Sequence, residues 1–258
     1  MLDSNWTGSE IFVVDAAENL HRFLVSQNSL TQYGKVSLPR ELTPADMAYG
    51  SSEGQEFLLI AGTESGHGVV VSYSLEGKPL RSWKFRNICS GIDFPPKGRS
   101  AYVATSDSNE IYRVDVHGAK ITSIARIENA TKLGPVAFDE GSQQVYVADV
   151  ASGQVYQYSL ASKISKVLVT GLSAPTALAF DPDARRLFIA DPGRRGVFMV
   201  DTRSSKPVAV EFAPNSLKAP YGMTVISNDH VAVADYGANS VVVLSVNGTL
   251  LFRYPPSD

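Results

Sequence analysis

A single cysteine, Cys89, is all this chain contains, so no disulfide can form within it and stability must come from burial. No apolar run approaches the roughly 18 residues that span a bilayer; the longest β-like stretches, such as SVVVLSV, are far shorter. Charge of either sign is barely in excess. Lys+Arg number 23 against 26 Asp+Glu, a net of -3, which excludes a general attraction to nucleic acid or an anionic membrane. The opening MLDSNWTGSE lacks the basic segment and apolar core of a secretory leader. Helical periodicity is missing throughout, and there is no G-x-S-x-G nucleophile elbow.

What the chain does have is a repeat. IFVVDAAENLHRF begins at Ile11, LLIAGTESGHGVVV at Leu58, AYVATSDSNEIYRV at Ala101, VYVADVASGQVYQY at Val145, LFIADPGRRGVFMV at Leu187 and VAVADYGANSVVVL at Val231. The residue closing the first run is Asp15, Gly62, Thr105, Asp149, Asp191 and Asp235, in steps of 47, 43, 44, 42 and 44. About a dozen residues ahead of each, from Gly62 on, lies a second phase: ADMAY, SGIDF, GPVAF, TALAF and YGMTV. A third phase follows in short β-rich runs such as PLRSWKF, KITSIARI, SKVLVT and PVAVEF. Turn chemistry separates them: DPDARR, DEGSQ, PPKGRS, LEGK, VHGAK and VNGT. Four short strands per unit at this period predict β-propeller blades.

Segments such as LSAPTALAFDPDARRLFIADPGRRGVFMVD and LKAPYGMTVISNDHVAVADYGANSVVVLSVNG resemble the NHL repeat and the related YWTD-type six-bladed propellers. The resemblance covers essentially the whole chain. It implies an all-β, six-bladed propeller of four-stranded antiparallel blades in one domain, residues 1–258, with blades near 1–40, 41–87, 88–131, 132–171, 172–216 and 217–258. Only five copies of the innermost strand are complete. Counting back from Asp15 puts the end of the sixth near Leu2 and Asp3, matched to Phe180 and Asp181, so the first blade is expected to lack most of its innermost strand. The chain is expected to have been cut from a longer protein, which leaves room for a removed signal or anchor.

In such a blade the innermost strand crosses from one face to the other and the second strand returns. Loops entering the innermost strands therefore share a face with the loops joining second to third strands. This entry face gathers Asp46, Ser90, Lys132, Thr176 and Tyr221 around the pore mouth, with Arg194, Arg195 and Tyr236 in the outer ring of loops. These eight are the candidate ligand-binding residues. Adjacent arginines in a turn point different ways, so a bidentate clamp on an anion is open but not implied.

The repeated Asp15, Asp149, Asp191 and Asp235 are expected to cap their own turns rather than form a carboxylate cluster. TESGHG leads into a strand, not a helix, and so reads as a turn rather than a phosphate cradle. His21, His67, His117 and His230 fall at four different places in their repeats and do not converge on a metal. Among six-bladed relatives, zinc-dependent lyases use pore histidines, and gluconolactonase-type enzymes hold a divalent ion with Glu, Asn and Asp. Here the inner strands offer Ala, Gly, Thr and Tyr, with Asp46 the only acidic residue expected near the pore mouth. Neither a metal, a cofactor nor a catalytic residue is expected. Cys89 reads as a buried small residue.

Three sequons, at Asn5, Asn129 and Asn247, lean toward a secreted or periplasmic setting. The expected function is non-catalytic recognition, by a monomer, of a protein, peptide or glycan. The alternative is a metal-dependent hydrolase or lyase; a third reading is RNA binding, which would want a basic, aromatic-studded face.

Overall fold

The computed structural model describes residues 1–5, 7–26, 29–38, 42–96, 98–214, 216–226 and 230–255. It contains six four-stranded antiparallel sheets, each made of four strands consecutive in the chain. The first holds β1 (Leu2–Ser4), β2 (Glu10–Val14), β3 (Asn19–Ser26) and β4 (Ser29–Ser37); the second β5 (Leu42–Ser52), β6 (Gln55–Glu64), β7 (His67–Tyr73) and β8 (Pro79–Lys84). In the third are β9 (Cys89–Asp93), β10 (Ser100–Thr105), β11 (Glu110–Asp115) and β12 (Ile121–Arg126); in the fourth β13 (Leu133–Asp139), β14 (Gln144–Asp149), β15 (Gln154–Ser159) and β16 (Ser165–Val169). The fifth comprises β17 (Ala177–Asp181), β18 (Arg186–Asp191), β19 (Gly196–Asp201) and β20 (Val210–Glu211), and the sixth β21 (Pro220–Ile226), β22 (His230–Asp235), β23 (Ser240–Ser245) and β24 (Leu250–Tyr254). This is a six-bladed propeller.

The second strand of each blade is an interior strand with both faces covered by neighbouring blades, which explains why QVYVAD and RLFIAD read as near-continuous apolar runs. Outermost strands are exposed on several positions, as in SKVLV, and carry little of that signal. The core is divided among six clusters, one per blade interface. Phe12, Val14 and Leu20 meet Met47 and Tyr49 between the first two blades, and Tyr146, Val155 and Leu168 meet Leu178, Leu187 and Ile189 between the fourth and fifth. The ring closes without a shared strand: Leu2, Ile11 and Phe23 of the first blade lie against Ile226, Ala232 and Val243 of the sixth, and side-chain hydrogen bonds from Ser4 and Thr224 cross the same seam.

β1 is a three-residue strand, short as the sequence predicts. Its register corrects the expected match, however. Asp3 pairs with Phe12, as Ala179 pairs with Phe188, so the counterpart of Asp3 is Ala179 and not Asp181. Asn5 takes the place of Asp181. Its side-chain oxygen accepts from the Ser9 and Glu10 amides at 3.0 and 3.1 Å, as Asp181 accepts from Asp183 and Ala184. Because side chains alternate along a strand, a two-residue slip keeps the facing but moves Asp3 inward along the channel.

Candidate functional site: the central channel and its entry face

The innermost strands β1, β5, β9, β13, β17 and β21 surround a cavity of about 540 Å³ along the propeller axis. Each is a sheet edge, so its outward N–H groups need acceptors. Three aspartates supply some of them by one geometry. The Asp3 carboxylate accepts from its own neighbour Ser4 and from the Tyr49 amide of the next blade. Asp46 accepts from Met47 at 2.9 Å and from Ile92 of the third blade at 3.0 Å. Asp93 accepts from Phe94 at 2.8 Å and from Phe138 of the fourth blade at 2.6 Å. The Thr224 hydroxyl also donates to Asp3, at 2.9 Å, and ties the sixth blade to the first.

Asp46 is therefore not the only acidic residue at the pore. Asp3 and Asp93 line the same cavity. Burial pushes the Asp46 and Asp93 carboxyls up to about 7, and Asp3 up to about 6, although the backbone donors pull the other way. Repulsion from Asp3 adds to the rise at both Asp46 and Asp93. The level defined by the residue opposite the middle of each second strand reads Asp3, Ala48, Asp93, Ala137, Ala179 and Thr224 around the ring. All three channel carboxyls thus sit on the first three blades.

The divalent ion implied by gluconolactonase-type relatives was tested against this donor set. Both oxygens of each of Asp3, Asp46 and Asp93 accept hydrogen bonds from the chain itself. Among the described residues no group of three or more His, Cys, Asp or Glu side chains is placed to hold a metal. The residues do not fit the group.

The aspartates that close the second strands have a different task. Asp149 accepts from Ala151 and Ser152 in its own turn, and from Thr131 and Lys132 in the segment entering β13. Asp191 holds Arg194 of its turn together with Ser173 and Ala174, and Asp235 holds Lys218 and Ala219. Each caps a turn or pins the entry loop beside it. This fixes both rings of loops relative to each other.

Of the eight candidates, Asp46, Thr176 and Tyr221 line the cavity. The Ser90 hydroxyl is turned to the Ala104 carbonyl at 3.2 Å. Lys132 is exposed at the fourth blade. Tyr221 and Tyr236, 51% and 70% exposed, lie side by side with ring centroids 6.2 Å apart. Arg194 and Arg195 line a second, shallower crevice with Glu211, Leu217 and Lys218. Arg194 is held: it donates to the Gly171 carbonyl at 3.1 Å, and its guanidinium stacks 4.3 Å from the centre of the Phe198 ring. Arg195 occupies the left-handed region at φ 54° and ends a short 3₁₀ turn over Pro192–Arg194. Glu18, Asn109, Gly153 and Asn239 have positive φ at the corresponding place in their loops. Cys89 is buried, and burial raises its thiol to about 12, which leaves it inert as a nucleophile.

Asp3 and Asp93 were missed by the sequence reading. Asp93 stands openly in SGIDF, but only the cross-blade register tells that its carboxyl meets an amide of the next repeat. No described helix is long and apolar enough to cross a membrane.

A family model described as the SMP-30/Gluconolactonase/LRE-like region matches residues 45–190 and 133–256. No match was found among curated proteins. A crystal structure of a nidogen/laminin complex contains a similar chain at 14% identity, TM-score 0.77, covering 96% of this chain and 93% of that one. A protein of unknown function from Desulfotomaculum acetoxidans DSM 771 aligns at 13% identity and TM-score 0.66, over 98% of this chain and 84% of that one. One from Bacteroides thetaiotaomicron VPI-5482, also of unknown function, aligns at 13% identity and TM-score 0.72, over 93% and 67%. At these identities the likeness shows the fold alone.

Proposed function

Because the chain belongs to the SMP-30/gluconolactonase/LRE-like family, we propose how this member uses the shared propeller: as a rigid, non-catalytic disc that recognises a protein or peptide through its entry face. The observation that carries this reading is the exposed pair Tyr221 and Tyr236 at the channel mouth. Large aromatics left in water beside fixed cations are the composition of a binding surface. Asp46, Ser90, Lys132, Thr176, Arg194 and Arg195 belong to the same proposed face. The nidogen/laminin complex, an association of two proteins, contains a chain of the same build. A closed ring of blades has no need of a second copy to cover its edges, so the binding unit is proposed to be a monomer.

A second reading, a metal-dependent hydrolase or lyase, is favoured by the three carboxyls on a 540 Å³ channel. It requires Asp3, Asp46 and Asp93 to release their backbone donors when an ion enters. Thermal unfolding in excess EDTA, then in millimolar calcium, magnesium, manganese or zinc, separates the two. A specific ion at a hundred times its Kd adds about 2.7 kcal/mol of stability. A flat response is expected. Stabilisation by one ion and not the others would overturn the recognition reading in favour of the enzyme.

A further inference from the structure

We propose that the occupant of the entry face is an extended acidic peptide segment, seated on the arc of the fifth and sixth blades. This rests on the recognition reading above and names its ligand. The charges of the entry face are uneven around the ring. The loops joining second to third strands carry Glu18, Glu64 and Asp107 on the first three blades and Arg194 and Arg195 on the fifth. The segments entering the innermost strands add Arg86 on the third, Glu128 and Lys132 on the fourth and Lys218 on the sixth, so that both signs mix on the third and fourth blades and only cations stand in these loops on the fifth and sixth. A chain of net charge -3 thus shows a local excess of cations over one arc.

That arc is contiguous. Arg194, Arg195, Leu217 and Lys218 share one crevice, with Glu211 its single acidic member. The Tyr236 loop lies directly against Lys218: a Cβ built on Gly237 would stand 3.0 Å from the Lys218 Cβ. Tyr236 in turn meets Tyr221 at the channel mouth. Cations and tyrosines form a single track from the rim to the axis.

The members of the track are prepared for an anion in different ways. Arg194 is held by the Gly171 carbonyl and the Phe198 ring, so its remaining N–H donors lose little freedom on binding a carboxylate. Among the described residues, neither the Arg195 nor the Lys218 side chain has a partner, and the two tyrosines offer flat faces to a side chain between the acids. Carboxylates match this fork geometry. A polyanion fits less well. A nucleic-acid strand wants a basic groove that tracks its backbone, whereas this track ends at a channel lined by Asp46 and faces Glu18, Glu64 and Asp107 across the ring.

The test uses fluorescein-labelled dodecapeptides on a Gly/Ser frame with one tyrosine, carrying four acidic, four neutral or four lysine residues, and a labelled U12 RNA, by anisotropy at 50 and 300 mM salt. The acidic peptide is expected to bind at least tenfold tighter than the neutral one at low salt and to weaken as salt rises. Arg195→Gly, Lys218→Ala and Tyr236→Ser should each weaken it three- to tenfold. Arg195→Gly suits its left-handed backbone, so a circular-dichroism melt no lower than that of the parent chain separates lost binding from lost folding. Equal binding of acidic and neutral peptides, indifference to all three substitutions, or tighter binding of U12 would each overturn the inference. If the neutral peptide binds and Tyr236→Ser abolishes it, the acidic-ligand inference fails while recognition at this face stands. If no peptide binds and one divalent ion stabilises the fold, both fail.

Discussion

Raising the pH from 5 to 8 should weaken this fold, because three carboxyls on the channel wall must then ionise where they are poorly hydrated. In the folded chain Asp46 and Asp93 are raised to about 7 and Asp3 to about 6, against about 3.9 when unfolded. Between those values the folded state holds protons that the unfolded state has released. Stability is then fully present below about 4 and is lost as pH rises through about 7. For Asp93 the whole gap is about three pH units, or about 4 kcal/mol at 1.36 kcal/mol each. From pH 5 upward, about 2–3 kcal/mol remains for each of Asp46 and Asp93 and about 1 kcal/mol for Asp3. The channel admits water and screens these charges, so the expected net loss is about 3–5 kcal/mol rather than the sum. At roughly 2 °C per kcal/mol for a chain of this length, Tm should fall by about 6–10 °C.

Asp15 and Asp149, where hydrogen bonds together outweigh the upward push of burial, lie low and lose their contribution only in more acid solution. They titrate below this window, while the Met1 ammonium, which burial lowers, releases its proton earlier in the folded chain and offsets part of the loss. Asp93→Asn sharpens the test. At pH 5 Asp93 is protonated, yet both its oxygens can still accept, one from Phe94 and one from Phe138, whereas the amide keeps a single acceptor oxygen, so the variant should be about 1 kcal/mol less stable there. At pH 8 it should be the more stable protein, since it has no charge to bury and no repulsion to exert on Asp3 and Asp46. Urea unfolding at constant ionic strength, followed by circular dichroism at four pH values, should give curves that cross. A flat or rising profile for the parent chain, or a parallel one for the variant, would refute the reasoning.

Asp191→Ala strands the amides of Ser173, Ala174 and Arg194 and should cost about 3 kcal/mol in urea, at about 1 kcal/mol per lost bond; a loss under 1 kcal/mol would mean that water serves those amides. Gly153→Ala places a Cβ 2.0 Å from the Leu172 carbonyl oxygen at a backbone φ of +65°, so unfolding should come at least about 2 kcal/mol earlier. An unchanged midpoint there would dispute the turn. Arg185→Met removes the partner 2.7 Å from Asp139, whose side chain is 1% exposed; the stranded charge should cost about 3 kcal/mol by denaturant titration, and Asp139→Asn in the same chain should recover much of it.

Much of the fold is legible because a blade is a local object. The repeated Asp149, Asp191 and Asp235 mark the ends of β14, β18 and β22, and strands covered on both faces leave apolar runs that no turn imitates. What lies between blades is not legible in that way. Asp93 reaches Phe138 across 45 residues, a pairing that no single repeat contains. Asp3 was placed two residues out of register because β1 is too short to align by its apolar pattern. On the rim, nothing in PGRRG tells that Arg194 is fastened to Gly171 while Arg195 is left to solvent.

Equivalent positions in a repeat are a control experiment within one chain. At the level of Asp3 and Asp93 the second, fourth and fifth blades carry Ala48, Ala137 and Ala179 and form the same strands with the same pairing. A carboxyl there is therefore no requirement of the architecture. What it adds is local: an acceptor for one amide of the next blade, and above neutral pH a charge that the channel hydrates poorly. The same comparison applies on the rim, where the fourth blade turns through Gly153 at the position that Arg195 occupies under strain in the fifth. The propeller explains its alanines and glycines at these positions. It does not explain Asp3 and Asp93 on one side of the ring, or Arg195 on the other, and those departures are where the individual chemistry of this chain must lie.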